Sequence, residues 1–273
     1  MKLKIYQQEA LNTLTLFCKN YKESSGKVEE AFNNTLKNSE QFSEPYEPYL
    51  KVKESTAPYI CIRIPTGGGK TLIAAKSLKP VIEELYENDK TFLVIWLAPK
   101  DIIVNQTIKA LKDPKHPYRK AIDEDFPSTS INVMKLKDAL TNTFNKKTDI
   151  TILVGSMQSF NVGNDDIRKF YYLNSNYANF LENSKYKDEP SLANAIKEAS
   201  PYIIIDEAHK ARANLSLSNI INLNPSFVLE LTATPERNHK PNSGKYASNI
   251  IYSVSASQLK AENMIKLPII LET

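Results

Sequence analysis

The chain has 273 residues, 41% hydrophobic and 24% charged, a globular balance that suits one large α/β domain or two small ones and excludes disorder throughout. A formal net charge of +4 fits a polyanionic partner without demanding one. Cys18 and Cys61 cannot build a disulfide framework or a zinc cluster, and neither a secretory signal nor a run long enough to span a membrane is present, so the expected location is the cytoplasm.

Ala10, Leu14 and Phe17 recur at helical spacing and predict an amphipathic helix over residues 5–20. Residues 22–57 are poor in large aliphatics and, with Pro45, Pro48 and Pro58 near their end, read as an exposed helix and a long loop. A β-branched run through Ile60, Ile62 and Ile64 predicts a buried strand that stops at Pro65-Thr66-Gly67-Gly68-Gly69-Lys70-Thr71. Leu72, Ala75, Leu78, Ile82 and Leu85 then form one helical stripe, interrupted at Pro80 by a kink or by the start of a second helix.

Residues 91–98 are apolar on both faces, as a central parallel strand should be. A helix through Ile102, Ile103 and Ile108 follows, then a polar, proline-punctuated surface insertion near 112–130 and a short strand over 131–135. Residues 149–155 predict another buried strand. The segment 161–200 reads as a helical insertion with helices over 165–181 and 191–199; its tyrosines suit either base stacking or, preferably, packing between helices. Strands follow at 201–209, with acidic residues at its C-terminal end, at 226–235 and at 250–252, then a helix over 255–262 and a strand-like run at 266–271 with no cap after it, the pattern of a chain that continues. Strands alternating with helices, and polar residues gathered at strand C-termini, predict an α/β fold with a doubly wound parallel sheet and a site along its carboxyl edge.

The glycine-rich stretch reads as a phosphate-binding loop. Its backbone N–H groups can close around an anion, Lys70 can reach the β- and γ-phosphates, and the Thr71 hydroxyl suits Mg2+. The strict G-x-x-x-x-G-K-[ST] pattern is not met, because Ile64 stands where its first glycine belongs. Adjacent carboxylates at Asp206-Glu207 supply the second ingredient: Asp206 to hold the cation through its waters, Glu207 to orient and deprotonate the attacking water. His116 and His239 lie in polar loops and imply no zinc triad.

Thr66-Gly67-Gly68-Gly69-Lys70-Thr71, Asp206-Glu207-Ala208-His209 and Leu231-Thr232-Ala233-Thr234-Pro235 resemble, in order and spacing, motifs I, II and III of superfamily two helicases and translocases. The set is most similar to the Res-type branch, which includes the motor subunits of type III restriction enzymes. The resemblance implies a RecA-like P-loop NTPase domain over 59–262, carrying insertions near 112–130 and 161–200. An N-terminal helix and variable segment (1–58) would pack on it, and 263–273 would begin a linker to a second RecA-like domain. It implies ATP and Mg2+ as cofactors, ATP hydrolysis as the activity, and Thr66, Gly67, Gly68, Gly69, Lys70 and Thr71 as nucleotide-binding residues. Tyr6-Gln7-Gln8-Glu9-Ala10-Leu11 is similar to the glutamine motif, in which Gln7 would contact adenine; an amphipathic helix containing glutamines reads the same way.

Ala98-Pro99-Lys100 with Asn105-Gln106-Thr107 resembles motif Ia, so Pro99, Lys100 and Gln106 would contact a nucleic-acid backbone, as would Gly155 and Ser156 after the next strand. His209, Thr232 and Thr234 would couple hydrolysis to motion; Arg237, beyond motif III, reads as a surface charge. Implied partners are nucleic acid, DNA before RNA, the second RecA-like domain and a methyltransferase subunit. No Asp…Glu-x-Lys nuclease group is apparent. Without arginine fingers from the second domain, the domain alone should hydrolyse ATP about three to five orders of magnitude more slowly. The rival readings are a nucleotide-dependent switch that does not act on nucleic acid and an RNA helicase domain.

Overall fold

The computed structural model describes residues 3–42, 44–53, 55–86, 92–144, 150–157, 165–206, 217–243 and 246–262. Glu207, His209 and the run at 263–273 lie outside these residues.

Strands β1 (Tyr59–Arg63), β2 (Phe92–Ala98), β3 (Ile131–Lys135), β4 (Ile150–Ser156), β5 (Tyr202–Asp206), β6 (Phe227–Thr232) and β7 (Ile250–Ser253) form one parallel sheet in the order β3-β4-β2-β5-β6-β1-β7. The apolar runs account for it. Val94, Trp96 and Ala98 of β2 enter one core while Leu93, Ile95 and Leu97 enter the other, so both faces must be covered.

Helices α1 (Ile5–Glu23), α2 (Val28–Lys37), α3 (Lys70–Lys76), α4 (Leu78–Leu85), α5 (Asp101–Lys112) and α6 (Pro117–Asp125) share the first core. The second is closed by α7 (Asp165–Phe170), α8 (Ala178–Leu181), α9 (Leu192–Ala199) and α10 (Leu217–Ile221). A last helix, α11 (Ala256–Ala261), returns Leu259 to the first core. The expected doubly wound α/β sheet is present, and β2 is one of its interior strands.

Several elements differ from expectation. The helix in the 22–57 segment is not exposed: Val28, Ala31, Phe32 and Leu36 fall three or four apart and bury a stripe that the polar composition concealed. The stripe after the glycine loop breaks at Ser77, and Pro80 sits three residues into α4, where its missing N–H leaves no helical bond unmade. The polar stretch near 112–130 contains α6, which starts with His116 as N-cap and Pro117 in its first turn and buries Ala121 and Ile122. The helix expected over 165–181 is interrupted, because the Asn174 side chain accepts from Asn176 N–H and turns the chain before α8.

At its β7 edge the sheet is covered by the N-terminal segment. Asn249 Nδ2 donates to the carbonyls of Leu50 (3.0 Å) and Tyr59 (2.9 Å), and Ser253 N–H donates to Gln41 Oε1 at 2.9 Å. That leaves less free strand edge for another chain to pair with.

Candidate active site

The site is built where β1 ends. Ile64 N–H still pairs with Thr232 O of β6 at 2.9 Å, and Pro65 then starts a turn closed by Gly68 N–H on Pro65 O at 3.1 Å. Gly67 (φ +83°) and Gly69 (φ +78°) take the left-handed conformation that the loop requires. Gly68 is required for space: a Cβ there would lie 2.5 Å from Ile64 Cγ2. Ile64 is fully buried, so a core side chain packed beneath the loop occupies the position of the strict motif's first glycine.

Lys70 opens α3, is only 5% exposed, and donates through Nζ to the carbonyls of Ile64 and Pro65, both at 3.3 Å. Thr71 Oγ1 donates to Asp206 Oδ2 at 3.3 Å, across the width of β6. Lys70, Thr71 and Asp206 are therefore brought together. Gly67, Gly69, Lys70, Thr71 and Asp206 line one wall of a cavity of about 500 Å³. Two oxygen donors beside a loop of glycines and an ammonium fit an anion with a hard cation, since Mg2+ takes oxygen ligands and keeps waters.

Gln7 also reaches the loop. Its Nε2 donates to Gly68 O at 3.3 Å, its Oε1 accepts from Lys4 N–H at 3.0 Å, and the side chain is buried. Tyr6, whose role the sequence did not reveal, donates its hydroxyl to the same Gly68 carbonyl at 2.9 Å. Burial, then the Glu262 carboxylate, raise the Tyr6 pKa, so the phenol stays a donor at neutral pH.

The remaining expected residues separate. Pro99 and Gln106 line the same cavity from β2's end and from α5, while Lys100 is exposed beside them. Thr232 is buried at the end of β6 and accepts through Oγ1 from Thr234 N–H at 3.3 Å. Its contact with His209 falls outside the described residues, as does everything expected of Glu207. Gly155 is not at the surface where a polymer could reach it: it is buried inside β4, and an added Cβ would lie 2.9 Å from Leu136 Cδ2. Ser156 is 5% exposed at the end of that strand. His116 and Tyr118 of α6, given no role by the sequence, also line the cavity; Pro117 at a helix start was the signal that could have placed them.

A family model described as "Type III restriction enzyme, res subunit" matches residues 1–237. The chain belongs to this family. The seven-stranded parallel α/β sheet and the phosphate loop at its carboxyl edge are in keeping with that membership.

Among solved structures, a nuclease-deletion mutant of the type ISP restriction-modification enzyme LlaGI, in complex with a DNA substrate mimic, shares 16% identity over 97% of this chain and 21% of its own, with a TM-score of 0.51. The ATP-dependent type ISP enzyme LlaBIII bound to DNA shares 16% identity over 96% of this chain and 16% of its own, with a TM-score of 0.48. The UvsW helicase from bacteriophage T4 shares 18% over 81% and 66%, with a TM-score of 0.36. The likeness to LlaGI is one of fold, and this chain spans about a fifth of that structure's length (21%). No curated protein matches the chain significantly in sequence. No helix among the described residues is long and apolar enough to cross a membrane.

Proposed function

We propose that the chain is the first RecA-like domain of a DNA-translocating Res-type motor, working in the cytoplasm. Residues 59–262 form the ATP-binding core, 1–58 an N-terminal support packed on it, and 263–273 lead toward a second RecA-like domain. The observation that carries the reading is the meeting of Thr71 with Asp206 beside Lys70 in the cavity of the phosphate loop.

In this reading Thr66, Gly67 and Gly69 present backbone N–H groups to the phosphates, Gly68, whose N–H closes the turn on Pro65 O, shapes the loop around them, and Lys70 leaves its loop carbonyls for the β- and γ-phosphate oxygens. Thr71 and Asp206 would hold Mg2+, which when bound neutralises charge on the leaving phosphates. Glu207 orients and deprotonates water, and His209, Thr232 and Thr234 carry the nucleotide state toward the track. Gln7 braces the loop through Gly68 and is positioned to report on the nucleotide from that side.

DNA is favoured as the track by the restriction-enzyme family and by LlaGI, whose structure was determined with a DNA substrate mimic. Lys100 and Gln106, exposed at the carboxyl edge, suit contact with a phosphate backbone. A methyltransferase subunit is the expected protein partner. Equilibrium binding of ATP, with Mg2+ and with the cation chelated, tests the nucleotide reading. Thr71→Ala and Asp206→Asn should abolish the cation-dependent part of binding; variants that bind as the wild type does, with and without cation, would overturn the assignment.

A further inference from the structure

The cavity that holds the phosphate loop is about 500 Å³, a size typical of small-ligand sites, and on its far wall only Gln106 has been given a role. That wall is made by Gln106 and Thr107 of α5 and by His116 and Tyr118 at the start of α6. Among the described residues lining the cavity, Lys70 carries the only permanent positive charge. A triphosphate there needs further donors.

His116 is built to supply one. Its Nδ1 accepts from Tyr118 N–H at 3.3 Å, which in the neutral ring places the proton on Nε2. The imidazole packs edge-to-face on the Tyr118 ring, with centroids 4.6 Å apart, so its plane is held. The wall itself is tied to the phosphate-loop helix: Lys76 of α3 pairs with Asp125 at 3.0 Å and with Glu124 at 3.5 Å at the other end of α6.

We propose that His116 is a nucleotide-binding residue, offering its Nε2–H across the cavity to the terminal phosphate of a nucleoside triphosphate bound on the loop. Thr71 and Asp206, the pair that would hold the cation beside the phosphates, share the cavity with His116, whereas Gln7 is not among its lining residues. The far wall therefore faces the phosphate end of the ligand. It follows that α6 helps the domain distinguish triphosphate from diphosphate. This inference rests on the ATP reading above.

The test is equilibrium binding of a non-hydrolysable imidotriphosphate analogue of ATP and of ADP, both with Mg2+, to the full chain as wild type, His116→Ala and His116→Asn. Asparagine is a good N-cap and preserves the start of α6 while withdrawing the ring. Both variants should bind the analogue about tenfold more weakly and ADP unchanged, the loss expected of one hydrogen bond to a charged group. Equal weakening for the two nucleotides, wild-type affinity in His116→Asn, or no change in either variant would overturn the proposal and leave the ATP reading standing. A wild-type chain that binds neither nucleotide would overturn both.

Discussion

Gly68 shows how tightly the site is specified at the level of single residues. With Ile64 Cγ2 only 2.5 Å and Pro65 O 3.1 Å from where a Cβ would lie, Gly68→Ala must push the loop off the strand end. We expect it to cost about 1–3 kcal/mol in a denaturant titration and to lower nucleotide affinity at least as sharply as Tyr6→Phe, which removes one donor from the Gly68 carbonyl. A Gly68→Ala chain with wild-type stability and affinity would mean that the loop tolerates a side chain. At Gly155 a Cβ would meet Leu136 at 2.9 Å, so Gly155→Ala should cost a similar amount in stability while leaving nucleotide affinity unchanged, since that glycine serves packing. The sequence marked both glycines but could not tell them apart, because a missing side chain looks the same whether it admits a ligand or a neighbouring turn.

Elements differ in how openly their patterns declare them. β2, β4, β5 and β6 were legible because strands buried on both faces must be apolar at nearly every position. Phosphate loop and acidic pair were legible for a different reason: their chemistry allows few residue types. Helices α2 and α6 were obscured because each buries a narrow stripe within polar sequence, and the value of that stripe depends on what packs against it. Phe32 of α2 is 2% exposed and meets the Tyr49 ring edge-on at 5.5 Å. Phe32→Ala should therefore cost about 3–5 kcal/mol, read as a lowered denaturation midpoint; the loss of a few tenths expected of an exposed helix would contradict this packing. Ile122→Ala in α6 carries the same expectation at about 2–5 kcal/mol, because Ile122 is fully buried.

For the molecule as a whole, periodicity predicted a parallel sheet but not its strand order, since alternation tells which face a residue occupies and not which strand lies beside it. Burial sets a second property at this scale. It pushes the phenols of Tyr49, Tyr86, Tyr177 and Tyr202 above the usual tyrosine range, so each stays protonated in the folded chain at pH values where the unfolded chain ionises. Their contribution is complete below about pH 10 and is lost as pH rises beyond it toward the folded values. Melting temperature should accordingly be insensitive to these groups between pH 7 and 9, by that same reference value of about 10, and fall steeply above it. A melting temperature that stays level to pH 11, about one unit beyond the unfolded value, would contradict that burial.

In the proposed function, nucleotide hydrolysis is tied to a DNA track. The most direct test is the steady-state ATPase rate of the full-length native protein with double-stranded DNA, single-stranded DNA, RNA or no polymer, alongside Glu207→Gln. Stimulation by DNA, abolished in Glu207→Gln while ATP binding is retained, is the predicted result; hydrolysis at one rate under all four conditions would contradict the account.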